Sequence, residues 1–333
     1  MSHEASPAPG PKEPGPHQSR RIRLGISACL LGDEVRYDGG HKRDTFLADV
    51  LGPLVEWVKV CPEVEIGMGT PRESIRLTDE DGRIRLLTVK TGIDHTDAMA
   101  AYAARRTRAL AGADLCGYVL KKDSPSCGMT RVKVYRGNGP PARTGVGMFA
   151  AALLARLPQL PVEEEGRLQD PRLRENFIER VFAYRRLRDL FESRWTVGHL
   201  VRFHTAHKFA LLAHSTLAYS RLGRLVAGAA SVDRETVRAR YSAGFMEALA
   251  VLATPRRHVN VLQHMAGYFK DTLDAASRAE LLETIDQYRQ GLLPLVVPMT
   301  LLRHHVRQHD VQYLAGQIYL SPHPKELMLR NHV

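Results

Sequence analysis

Between residues 21 and 165 apolar positions fall in short blocks separated by helical stretches. "IRLGISA", "LVEWVKV" and "LCGYVLK" are β-rich runs, and "RDTFLADV", "DAMAAYAARRTRALAGA" and "GMFAAALLARL" carry the wider spacing of helices. "IRLTDEDGRIRLLTVK" predicts a hairpin turning at Asp81-Gly82, and "RVKVY" predicts a further strand. Asp94 or Thr96 supplies an N-cap for the helix that follows. Alternating β and α runs predict a parallel, Rossmann-like sheet with helices on its faces.

After "PVEEEGRLQDP" the pattern turns helical almost throughout, in runs such as "RLRENFIERVFAYRRLRDLFES" and "SRAELLETIDQYRQ". Asp170-Pro171 and Thr254-Pro255 each pair an N-cap with proline at the first helical position, and Ser277 with Glu280 fits a capping box. The expected organisation is a disordered tail over 1–20, an α/β domain over 21–165 and an all-helical domain over 166–333. Proline is dense and apolar residues almost absent in the tail. With no signal-type segment and no apolar run of about 18 residues, the chain reads as cytoplasmic, with no membrane partner.

Four cysteines in 333 residues are too few for a disulfide framework and are left to metal binding or catalysis. Cys29, Cys61 and Cys127 each follow a predicted strand, so all three are expected at one sheet edge, where ligands of parallel sheets bind. Cys116 lies inside its strand and reads as structural. Three converging thiolates suit a metal centre with an open position. Either zinc with a water or an iron–sulfur cluster with one free iron meets that description, and spacing alone does not choose.

The net charge is +11. Residues 21–158 hold 21 basic and 16 acidic side chains and residues 159–333 hold 24 and 18, so both halves are basic. An excess spread in this way suits a polyanionic partner.

"SACLLGDEVRYDGG", "CPEVEIGMGTPRE" and "LKKDSPSCG" resemble the three signature stretches of the thiouracil desulfidase family. The later "RFHTAHKFALLAHS" and "YFKDTL" resemble the second domain fused to it in bacterial RNA 4-thiouridine desulfidases. The resemblance implies a [4Fe-4S] cluster held by Cys29, Cys61 and Cys127 with one open iron. It also implies non-redox removal of sulfur from a thiolated pyrimidine, and for the fused form 4-thiouridine in tRNA. Where many relatives carry a further cysteine this chain has Val35, so that position is no ligand here.

Glu63, two residues past Cys61 and fixed by Pro62, is the general acid/base candidate. The family places a catalytic serine in the Cys127 loop, which leaves Ser124 and Ser126 as candidates. Arg72, Lys121 and Lys122 are candidate phosphate or base contacts, and in the helical half His204 and His207, expected on one helix face with Lys208 adjacent, are candidates for RNA contact or for helix packing. Asp38 is expected to hold a turn, and Tyr219, Tyr268 and Phe269 to lie in the core. Two other functions stay open: a desulfidase of free thiolated pyrimidines, and a non-catalytic RNA-binding protein with a structural cluster.

Overall fold

The computed structural model describes residues 21–137 and 139–332, so the proline-rich tail of residues 1–20 lies outside the described residues. The strands are β1 (Ile22–Ser27), β2 (Val55–Val60), β3 (Ile75–Glu80), β4 (Arg83–Thr88), β5 (Leu115–Leu120), β6 (Val132–Tyr135), β7 (Ala142–Gly145) and β8 (Val162–Glu164). They form two sheets. β2-β1-β5-β8 is wholly parallel, as the alternating pattern predicts, and β4-β3-β6-β7 is mixed. The hairpin and "RVKVY" therefore belong to a second sheet, because β3 pairs with β4 antiparallel and with β6 parallel.

A short helix, α1 (Pro62–Glu65), follows β2, and two longer ones, α2 (Thr96–Ala111) and α3 (Met148–Arg156), follow later. Of the helix expected over "RDTFLADV", the part from Phe46 onward forms a π-helical segment, Phe46–Leu51. Every residue of β5 is buried, and its side chains divide between two cores, with an irregularity of the β1 pairing at Cys116 that sets Leu115 and Tyr118 in the same core. Leu115, Tyr118 and Leu120 join Met99 and Tyr102 of α2 and Phe149 of α3 on one face. Cys116 and Val119 join Leu24, Ile26, Phe177, Ile178 and Val181 on the other, so Cys116 is a core residue as expected.

That second face is covered by α4 (Pro171–Glu192), the first long helix past residue 165. Leu327 and Leu329, near the end of the chain, close the same core. The sheet is thus completed by residues from the helical half, and a fragment ending at residue 165 would bare one of its faces to water.

The remaining helices are α5 (Val197–Ala206), α6 (Lys208–His214), α7 (Thr216–Ala227), α8 (Arg234–Ala250), α9 (Pro255–Ala266), α10 (Ala275–Arg289), α11 (Val296–Gln308) and α12 (Gln312–Ala315). Asp170 and Thr254 cap α4 and α9 with proline at the first turn. α10 starts earlier than the capping-box reading, because Asp274 accepts the Ser277 N–H at 2.8 Å and displaces Ser277 as the cap. Phe269 is core, whereas Tyr268 is 41% exposed and stacks on Tyr313, contrary to the core expectation. Tyr219 is half-buried and stacks on His204.

Buried ion pairs tie the end of the chain to α4. Arg330 donates to Glu175 at 2.9 Å and to the Tyr319 carbonyl at 2.6 Å, and lies 3.8 Å from Glu179, which meets His214 at 3.3 Å. Burial opposes ionisation of Glu175, but Arg330 and His323 outweigh it and hold the carboxyl well below its usual range. Burial likewise opposes protonation of His214, and Glu179 outweighs it and raises the pKa.

His204 and His207 are buried, which corrects their reading as RNA contacts. His204 Nδ1 meets the Tyr241 hydroxyl at 3.1 Å, and His207 stacks on Phe203 with its Nδ1 on the Phe203 carbonyl. Both rings are amphipathic side chains absorbed by helix packing. Lys208 is half-buried, its amine over the rings of Phe209 and Tyr313.

Two stability predictions follow from this packing. Phe177→Ala should cost about 3–5 kcal/mol in urea denaturation of the full chain, as for a large core truncation; the exposed Leu292→Ala, at 68% exposure, is the control and should be near neutral. A loss for Phe177→Ala no larger than the control's would contradict the docking of α4 on the sheet. The second concerns pH. Burial lowers the pKa of His207 to about 3 and of His258 to about 4. A depressed histidine pKa means that the unfolded chain binds protons first, so the stability each ring contributes is complete above about pH 6.5 and is lost as pH falls toward the folded value. Between pH 7 and 5 each ring should cost about 2 kcal/mol, with His214 working in the opposite sense. A urea midpoint that rises on acidification, or a His207→Gln variant with the same pH slope as the parent, would contradict this.

Candidate active site

In the parallel sheet the chain passes from β1 outward to β2 and then returns to place β5 on the other side of β1, so a crevice forms at the carboxyl ends of these strands. A cavity of about 490 Å³ opens there, and Cys29, Cys61 and Cys127 all line it, as the sequence predicts. The second sheet supplies a wall through Arg76, Val132, Lys133 and Tyr135.

Each cysteine is placed by a different local device. Cys29 sits in the 3-10 turn Ala28–Leu31 directly after β1, and its carbonyl accepts the Lys42 N–H at 2.9 Å. Cys61 precedes α1, where its N–H donates to Glu65 at 3.2 Å and Arg106 approaches Glu65 at 3.4 Å. Glu65 thus takes the Cys61 N–H, while Glu63, two residues before it, lines the cavity. Cys127 lies in the loop after β5, and that loop packs on the start of α3. The N–H groups of Gly147, Met148 and Ala150 donate to the carbonyls of Gly128, Pro125 and Ser126. These donors would otherwise be orphans at a helix N-terminus. A methyl group on Gly147 would lie 2.5 Å from the Ser126 carbonyl, so only glycine allows this approach.

The three thiols are free, and burial pushes all of them up: Cys29 to about 11, Cys61 to about 12, and Cys127 well above the ordinary range. Glu63 adds to the rise at Cys61, its Oε2 accepting from Cys61 Sγ at 3.5 Å. Glu63 Oε1 lies 3.5 Å from Ser124 Oγ, and Arg72 stands 4.0 Å from the same carboxylate. Ser124 Oγ also accepts the N–H groups of Ser126 (3.2 Å) and Cys127 (3.1 Å), so its own proton is directed at Glu63. Ser126 is different. It is fully buried, does not line the cavity, and its hydroxyl finds no partner among the described residues. The geometry thus separates the two serine candidates, and Ser126 is corrected to an interior position.

Lys121 and Lys122 also line the cavity, but Lys121 is already ion-paired with Glu165 at 2.5 Å. Arg72 is held by the carbonyls of Val35 and Gly69 as well as by Glu63. Val35 lines the cavity and its carbonyl lies 3.7 Å from Cys61 Sγ. Asp38 closes a turn by accepting the Gly40 N–H at 3.1 Å, as expected. His204, His207 and Lys208 are not among the residues lining this cavity.

Several site residues escaped the sequence reading. Ser27, whose hydroxyl accepts the Lys121 N–H at 3.0 Å, joins the ends of β1 and β5. The run Glu163-Glu164-Glu165 looks like a solvated boundary, yet all three side chains are buried. One signal is the charge of "LKKDSPSCG": the half-buried Lys121 ahead of the loop calls for a carboxylate, which Glu165 supplies.

The profile of the 2-thiouracil desulfurase family matches residues 24–165, and that of a protein of unknown function, DUF1722, matches residues 208–324. The uncharacterized protein YbgA of Escherichia coli K12 is 34% identical over 153 residues, 46% of this chain and 90% of that one. The uncharacterized protein YbbK of Bacillus subtilis 168 is 32% identical over 135 residues, 38% and 87% of the two chains. A solved structure titled [4Fe-4S]-dependent thiouracil desulfidase TudS aligns with 34% identity and a TM-score of 0.37, over 45% of this chain and 94% of that one. Among the described residues no helix is long and apolar enough to cross a membrane. The chain belongs to the 2-thiouracil desulfurase family, with a DUF1722 segment following the desulfurase segment in the same polypeptide.

Proposed function

We propose that this protein is a desulfidase of thiolated pyrimidines, with thiouracil-type bases as its substrate class. The observation that carries the reading is the meeting of three thiols with the Glu63 carboxylate and the Ser124 hydroxyl on a single cavity within a 2-thiouracil desulfurase chain.

The donor set fits a [4Fe-4S] cluster better than a single zinc ion. Among the described residues no three His, Cys, Asp or Glu side chains converge closely enough for one metal ion. Thiols that share a cavity of about 490 Å³ without converging on a point suit a larger inorganic group. Cys29, Cys61 and Cys127 would hold it, and as raised thiols they must release protons to do so. When bound, such a cluster supplies a soft Lewis-acidic iron suited to a thiocarbonyl sulfur.

The chain's own residues supply the proton traffic. Exchange of a thiocarbonyl for a carbonyl consumes one water and releases hydrogen sulfide, with no change of oxidation state, so two protons must move from oxygen to sulfur. Glu63 is the group that accepts and returns a proton, and Arg72 keeps its carboxylate in place. Ser124, with both lone pairs turned to backbone N–H groups, donates toward Glu63 and orients it. Contacts of this length at rest tighten when substrate fills the cavity.

A second reading, 4-thiouridine within tRNA, is supported by the charge of +11 and its spread over both halves. It uses the same chemistry on a larger substrate. Lys121 and Lys122 at the cavity and Lys208 in the helical half remain its candidate contacts.

The test is anaerobic reconstitution of the full chain, followed by product analysis with thiouracil and with thiolated tRNA. Cys29→Ala, Cys61→Ala and Cys127→Ala should lose bound iron and turnover together, and Cys116→Ala should keep both. Glu63→Gln should keep iron while turnover drops about 10²-fold or more, and Ser124→Ala should fall well below Ser126→Ala. Undiminished turnover in iron-loaded Glu63→Gln would remove Glu63 from the mechanism, and turnover on tRNA alone would replace the free-base reading.

A further inference from the structure

We propose that the consecutive carboxylates Glu164 and Glu165 are positioning residues that clamp the two ends of the Cys127 loop and so present Cys127 and Ser124 to the cavity. The proposal rests on the desulfidase reading for the purpose of the loop; the clamp itself rests on geometry. β8 runs parallel to β5 with Glu164 opposite Leu120, which sets both carboxylates beside the point where the loop leaves the sheet. Glu165 takes the entry: its Oε1 meets the Lys121 amine at 2.5 Å, its Oε2 accepts the Lys122 N–H at 2.8 Å, and its own N–H donates to the Leu120 carbonyl. Glu164 takes the exit, where its Oε1 accepts the N–H groups of Met129 at 2.7 Å and Thr130 at 3.4 Å.

The backbone shows why clamps are needed. Next to each clamped end stands a non-glycine residue in the left-handed region, Asp123 at φ 59° after Lys122 and Arg131 at φ 56° after Thr130. Such conformations persist only where the surroundings hold them. Between them Ser124 must keep its hydroxyl under the N–H groups of Ser126 and Cys127. Buried carboxylates are costly unless hydrogen-bonded, and the loop ends supply donors to both oxygens of Glu165 and to Oε1 of Glu164. Neither lines the cavity, so their effect reaches it through the loop.

The test uses the full chain and three variants, Glu164→Ala, Glu164→Gln and Glu165→Gln, each checked for cooperative thermal unfolding. The first readout needs no cluster: anaerobic alkylation of the unreconstituted chain, with labelling at each cysteine resolved by mass spectrometry. Glu164→Ala should speed labelling of Cys127 about tenfold while Cys29 keeps its parental rate. Glu164→Gln keeps an acceptor oxygen and should restore protection. The second readout is iron loss from reconstituted protein to a chelator, which should run about 10–100-fold faster for Glu164→Ala, as for loss of a group that orients a metal ligand. Parental labelling and parental iron loss in both Glu164→Ala and Glu165→Gln would overturn the proposal, as would a Glu164→Gln variant as defective as the alanine. If Glu164→Ala does not fold, faster Cys127 labelling in Glu165→Gln supports the clamp and a parental rate overturns it. A parent that assembles no cluster defeats the desulfidase reading alone, because the alkylation result still decides the clamp.

Discussion

Leu24, Gly25 and Ile26 of β1 lie beside Gly117, Tyr118 and Val119 of β5, and this parallel register decides where two of the three site cysteines emerge. A side chain on Gly25 would come within 2.1 Å of the Tyr118 ring, so the residue is confined to glycine by the aromatic core on that face. The same pairing brings the Ser27 hydroxyl to the Lys121 N–H, which ties the strand before Cys29 to the strand before Cys127. With β2 parallel on the other side of β1, Cys61 arrives at the same edge. Slippage of β5 by one residue would exchange its two buried faces and turn the Cys127 loop away from the other two thiols.

The helical half has a structural part in this arrangement. α4 fills one face of the parallel sheet, and the end of the chain closes behind it through Leu327, Leu329 and the Arg330–Glu175 pair. Breaking that pair would strand a buried charge, a larger penalty than the pair's own net contribution. The division of the sequence near residue 165 therefore marks a change of secondary structure while the packing runs across it.

The parallel sheet and the shared edge of Cys29, Cys61 and Cys127 were legible in the sequence because short β-rich runs separated by helices admit few topologies. Asp170 and Thr254 as caps were legible for a local reason, a side-chain acceptor just ahead of a proline. The second sheet was not, because nothing local says which sheet the strand "RVKVY" joins; that is set by its pairing with β3. Nor was the buried state of Glu163, Glu164 and Glu165, since three adjacent carboxylates look solvated until Arg167, Lys121 and the backbone donors that satisfy them are in place. For His204 and His207 the sequence left RNA contact and helix packing open, and the structure selects packing. Their one-face spacing is right, but the face they share points into helix packing. Between Ser124 and Ser126 only the direction of the hydroxyl decides, and a loop sequence does not encode direction.

The measurement that bears most directly on the central claim is desulfuration of thiouracil in ¹⁸O-labelled water by the anaerobically reconstituted chain, with uracil and sulfide quantified together. Equal amounts of uracil and sulfide are expected, with one solvent-derived oxygen in each uracil formed. A chain that carries its full complement of iron and sulfide yet leaves thiouracil intact, or forms uracil without solvent oxygen, would contradict that claim.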